Sequence, residues 1–135
     1  MREILFRGKR INGGKWVDGY LLKITLYGKT WNLILGDNFI RSGLGVTAMQ
    51  HATVDPSTVG QDTGLKDKNG VRIFEGDIIR WLPALEEKTD VVSFDEAGFC
   101  AGEYFLQSAL YYGDFDGEVI GNIHDNPELL GGNNG

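Results

Sequence analysis

Residues 64–81 read G-L-K-D-K-N-G-V-R-I-F-E-G-D-I-I-R-W, two acid-glycine turns and two short apolar runs in eighteen positions. The reading of Asp67-Lys68-Asn69-Gly70 decides the fold. A calcium loop needs a glycine at its sixth position and a bidentate Glu at its twelfth. Counted from Asp67 these are Arg72 and Ile78, so that pattern fails. A phosphate loop needs Lys and Ser/Thr after its second glycine. Val71 and Arg72 stand there after Gly70, so that pattern fails as well. What fits is a hairpin. Asp67 caps the turn with its side chain, and Asn69-Gly70 tolerates the left-handed backbone. Glu75-Gly76-Asp77 then makes a second tight turn into the apolar strand Ile78–Leu82, which Pro83 ends.

Working outward, the same grammar continues. The 135 residues include 20 glycines, roughly twice the ~7% share of an average protein, and three prolines. Glycine spread in this way implies many turns and bulges, and favours short strands. Strands are expected over 2–7, over Lys15–Thr25 with Gly19 as a bulge or close-approach point, and over Thr30–Leu35. Arg7–Gly14 and Tyr27-Gly28-Lys29 read as the turns between them. Further strands are expected within 51–59, ended by Pro56, at Val91–Phe94, around Phe99-Cys100-Ala101 and at Glu118–Ile123. Residues 102–112 fit neither period cleanly and are read as strand. Asn126 and Pro127 suit the cap and first position of a helical turn.

Charge is distributed unevenly. Residues 1–30 carry seven Lys or Arg and two acids, whereas residues 86–135 carry eleven acids and one Lys, within a net charge of −6. Two uses follow: the basic first third meets the acidic last third, within or between chains, or it forms a face for nucleic acid. The acidic total argues against non-specific nucleic-acid binding, which depends on many cations neutralising phosphates. The single cysteine, Cys100, excludes an intramolecular disulfide, and a reducing cytoplasm is the simpler expectation. No apolar run approaches the ~18 residues of a membrane helix, and the run after Met1 is short for a signal peptide.

Chemistry is sparse. Asp114, Asp116 and Glu118 alternate, so on a strand they share a face and could converge on a divalent cation. A solvated turn entering the last strand is the plainer reading. His51 and His124 match no zinc pattern. Cys100, between Phe99 and Ala101, reads as a buried thiol with no activating base. Trp16, Trp31 and Trp81 are expected to pack in the core. The alternative for Trp16 is a stacking platform for single-stranded nucleic acid, joined by Arg7, Lys9, Arg10 and Lys15. No cofactor motif and no organised catalytic set is present, so the chain reads as non-enzymatic.

Three segments resemble one family. They are Met1–Arg7 (M-R-E-I-L-F-R), the run V-G-Q-D-T-G-L-K-D-K-N-G at 59–70 leading into I-F-E-G-D-I-I at 73–79, and V-I-G-N-I-H-D-N-P-E-L-L at 119–130. In this order they are similar to the YopX-like family of phage and prophage proteins; Asp62 departs mildly, standing where an aromatic is common. The resemblance implies a small, mostly β protein of a phage or integrated prophage, acting in the bacterial cytoplasm, and it carries no catalytic role to any position.

Together these readings predict a mainly β, YopX-like chain of small, bent antiparallel sheets or partial SH3-like barrels with a short C-terminal helical turn. One unit over 1–130 is expected, or two β subdomains at about 1–50 and 51–130, followed by a flexible tail over 131–135. The expected role is that of an accessory protein binding a protein partner or a second copy of itself. Nucleic-acid binding through the basic first segment and metal-dependent hydrolysis in the acidic third are the alternatives.

Overall fold

The computed structural model describes residues 4–36, 51–82, 86–95, 98–102, 104–106 and 117–131. Its contacts divide the chain into two compact units, Met1–Asp62 and Thr63–Gly135. Eleven strands and two short helical turns are described, so the architecture is mainly β, as the glycine-punctuated sequence implies.

The first unit holds β1 (Phe6–Lys9), β2 (Trp16–Leu26), β3 (Lys29–Leu35), β4 (His51–Val54) and the start of β5 (Gly60–Lys66). They form antiparallel neighbours in the order β4-β3-β2-β1-β5. A single turn of 3-10 helix, Pro56–Thr58, links β4 to β5, with the Asp55 carboxylate accepting from Ser57 N at 3.0 Å. The sheet is strongly bent, since the residue after β1 reaches β4: Arg10 bridges Val54, and Ile11 N donates to Thr53 O at 3.1 Å. This is an isolated bridge, so the sheet curls without closing as a barrel.

Two glycines make that bend possible. Gly8 lies against Val54, where a Cβ would come within 2.8 Å of the Val54 Cγ2. Gly19 sits at φ +154°, and a Cβ there would lie 2.1 Å from the Leu35 carbonyl oxygen. The close-approach reading of Gly19 holds. The reading of Arg7–Gly14 as a turn does not: β1 runs to Lys9, and the turn is Ile11–Gly13. Gly8 is in this strand because Val54 needs the space, not because the chain reverses there.

In the second unit the end of β5 and β6 (Arg72–Phe74) form the hairpin expected around Asp67. A five-stranded antiparallel sheet follows, in the order β10-β9-β8-β7-β11. Its members are β7 (Asp77–Trp81), β8 (Lys88–Asp95), β9 (Gly98–Ala101), β10 (Tyr104–Phe105) and β11 (Glu118–Asn122). Ile73, Ile79, Trp81, Val92, Ala101 and Leu106 form its core, with Leu65, Phe99, Tyr104 and Val119 packed around them. Each fully buried Ile or Val contributes about 2 kcal/mol by leaving water. Trp81 is anchored twice: its ring meets Tyr104 edge-on at 5.7 Å, and its indole N–H donates to Asp90 Oδ2 at 2.7 Å. The helical turn α1 (Glu128–Gly131) ends the described chain. Asn126 does more than precede it: its carbonyl accepts from Leu129 N at 3.1 Å and its Oδ1 reaches back to accept from Asn122 N at 3.2 Å.

Candidate functional site

The decisive loop is a clamp. Asp67 is buried, and its Oδ1 accepts from Asn69 N at 2.8 Å and Val71 N at 2.9 Å. These local bonds are the turn that the residue types dictate. Its Oδ2 accepts from Val119 N at 2.9 Å, on a strand 52 residues later. Burial alone would raise this carboxyl's pKa. The N–H groups of Val119, Val71 and Asn69, with Lys68 nearby, outweigh that and hold it below the ordinary 3.8. Gly70 follows at φ +83°. The second turn works similarly. Gly76 stands at φ +93°, and Asp77, fully buried at the start of β7, accepts Phe74 N on Oδ2 at 2.7 Å. Gly76 N donates to Val92 O at 2.8 Å, and Gly76 O accepts from Ile123 N at 3.0 Å.

The last motif is spent in the same way. Asn122 Oδ1 accepts from His124 N at 3.0 Å and Asp125 N at 2.9 Å. A Cβ on Gly121 would fall 2.6 Å from the Asn126 Oδ1. Residues that look like a loop for ligands therefore satisfy backbone. Asp67, Asn69, Gly70, Gly76 and Asp77 build the two turns, in which the Asp67 and Asp77 carboxylates accept backbone N–H groups.

Of the basic set, three members meet. The Arg7 guanidinium lies 4.8 Å from the Trp16 ring centroid and the Lys9 ammonium 5.9 Å. Lys9 pairs directly with Trp16 across β1 and β2. Arg10 and Lys15 are exposed beyond this cluster, joined by the backbone bond from Arg10 N to Lys15 O at 2.8 Å. Trp16 is half-buried, whereas Trp81 is in the core as expected. Of the acidic set, Asp114 and Asp116 lie outside the described residues. Glu118 is engaged by the Arg80 guanidinium, which holds its carboxyl below the ordinary range. Among the described residues no group of three or more His, Cys, Asp or Glu could hold a metal ion. Cys100 is buried, its thiol facing Asp95 Oδ2 at 3.5 Å, and burial followed by that carboxylate pushes its pKa up. A raised thiol pKa is the opposite of what a nucleophile needs.

One surface escaped the reading of individual motifs. β2 and β3 pair from Tyr20↔Leu35 to Leu26↔Lys29, but β1 reaches β2 only at Trp16–Gly19 and β4 reaches β3 only at Asn32–Leu35. Among the described residues, positions 24–31 thus run on as a two-stranded arm, about 10 Å beyond the flanking strands. Its faces differ. Lys23, Thr25 and Thr30 make a polar side, where the two threonine hydroxyls share a hydrogen bond of 2.8 Å. Leu22, Ile24, Leu26, Trp31 and Leu33 make an apolar side, on which Leu26 is 54% exposed and Leu22 40%. The Lys29 ammonium lies 5.3 Å from the Trp31 ring centroid. At the tip Tyr27 is fully exposed and holds φ +50°, followed by Gly28 at φ +77°. The signal for this face was in the strict apolar/polar alternation of residues 22–26.

No helix among the described residues is long and apolar enough to cross a membrane. The search of curated proteins found no match. Among solved structures, the crystal structure of protein EF1440 from Enterococcus faecalis is similar at TM-score 0.59, with 20% identity over 96% of this chain and 99% of that one. At that identity the likeness concerns the fold. The family model described as YopX protein matches residues 5–131. The matched range includes the Asp67 clamp, the Gly76 turn and the Asn122–Asn126 knot, and the chain belongs to the YopX family.

Proposed function

We propose that the chain is a non-enzymatic protein-interaction module of a phage or prophage, acting inside the bacterial cell. The observation that carries this is the apolar side of the β2–β3 ribbon, where Leu26 on the arm and Leu22 at its base stay exposed near Trp31. Apolar side chains gathered on one unpartnered strand face mark a contact surface more often than isolated exposed leucines do. The carboxylates of Asp67 and Asp77, by contrast, are occupied with backbone.

A second reading rests on a separate observation. Arg7 and Lys9 both lie over Trp16, a basic-aromatic pairing suited to a nucleic-acid strand. The two readings separate in one measurement: size-exclusion chromatography with light scattering at ~50 and ~500 mM salt, on protein purified without nuclease. A protein peak free of nucleic-acid absorbance at both salts is expected. A peak that carries nucleic acid at low salt and loses it at high salt would replace the first reading with the second.

A further inference from the structure

Tyr27 breaks a local rule with no return inside the chain. A two-residue hairpin loop with both central residues at positive φ favours Asn-Gly or Gly-Gly. Here the first position, at φ +50°, is a tyrosine whose side chain is fully exposed. A non-glycine residue in this region stores strain, and strain without a packing gain points to a role outside the fold. The tip beside it is apolar through Leu26 and basic through Lys29. Residues 19–36 contain two lysines and no acid.

A surface of opposite character lies in the second unit. Where β8 turns to β9, Phe94 is 52% exposed, edge-on to Phe99 at 4.8 Å, and Asp95 beside it is exposed too. Asp95 is the acid described at this corner, and the sequence over 86–135 holds eleven acids and one Lys. An apolar tip beside Lys29 and an apolar corner beside Asp95 are complementary in both respects. The donor has no acid to repel the corner, and the corner has an aromatic to receive Tyr27.

We propose that the β2–β3 arm of one molecule docks, through Leu26, Tyr27 and Lys29, on the Phe94–Asp95 corner of a second copy. The contact is head-to-tail, so each molecule offers one donor and one acceptor. This rests on the protein-interaction reading and names its partner.

Sedimentation velocity across a concentration series at ~50 mM salt tests it, with three proteins. The wild type is expected to self-associate, less so at ~500 mM. Tyr27→Asn removes the aromatic while placing a residue that favours the turn, so its melting midpoint should not fall. Phe94→Ser removes the acceptor. Each variant alone should dissociate with a constant about tenfold weaker or more. Mixed, they should recover one-to-one association with near wild-type strength, because one intact arm and one intact corner remain. A wild type that stays monomeric at low salt overturns self-docking and leaves the protein-interaction reading standing with another partner. Self-association that both variants retain, or a mixture that fails to associate while both remain folded, overturns the arm-to-corner contact. A wild-type peak laden with nucleic acid would instead count against the parent reading.

Discussion

The two hairpins are built on opposite principles. The β5–β6 turn is fastened from outside itself: Asp67 serves two donors within the loop and a third on β11. Among the described residues the β2–β3 turn is held by its own ladder, and its tip carries an aromatic in a backbone conformation that suits glycine or asparagine. In the first, both oxygens of the buried carboxylate have a task in folding. In the second, a residue is placed at some cost to folding. The difference teaches where in this molecule to look for what it does: function is better sought where local chemistry is poor than where it is well matched.

The largest break in that comparison is Asp67→Ala. It strips three backbone N–H groups of their acceptor in a buried place and should cost about 3 kcal/mol, read as a lower urea midpoint. Next comes acid. Because the folded carboxyl of Asp67 titrates below its unfolded value, its contribution is complete above about pH 4 and fades as pH falls through the depressed folded pKa. The stability of Asp67→Asn should therefore fall less steeply than wild type over that acidic window, in paired chemical denaturations. Tyr27→Asn sharpens the comparison from the other side: relief of the positive-φ strain should raise the melting temperature by roughly 2–3 °C. The smallest effect is expected at Thr25→Val, which removes an exposed cross-strand hydroxyl bond and should leave the melting temperature within about 1 °C. A large loss there would mean that the arm is held more firmly than its own ladder accounts for.

Legibility follows the range of the forces involved. The hairpin at Asp67, the turn at Gly76 and the close approach at Gly19 can be read because each depends on side-chain chemistry within a few residues. The bond from Val119 N to Asp67 cannot, since nothing near residue 119 announces which carboxylate will arrive. Lys9, expected in the turn 7–14, lies in β1, where Gly8 is a strand residue. The reason for that glycine is Val54, distant in sequence and close in space. Arg7, Lys9 and Trp16 do come together as the residue types suggest, but the arm was hidden. Its distinctness depends on where β1 and β4 stop, which is a property of pairing lengths and not of any motif.

The Asp67 clamp also sets an order of events in time. Its two local bonds can form as soon as residue 71 is available, within the microseconds of hairpin closure. The bond to Val119 must wait until β11 exists, after most of the chain has left the ribosome. A carboxylate with one oxygen satisfied early and the other late acts in both phases of folding, so its loss should slow folding through the local bonds and hasten unfolding through the bond to Val119. The residue that makes the first legible turn is thereby the latch that the last strand closes.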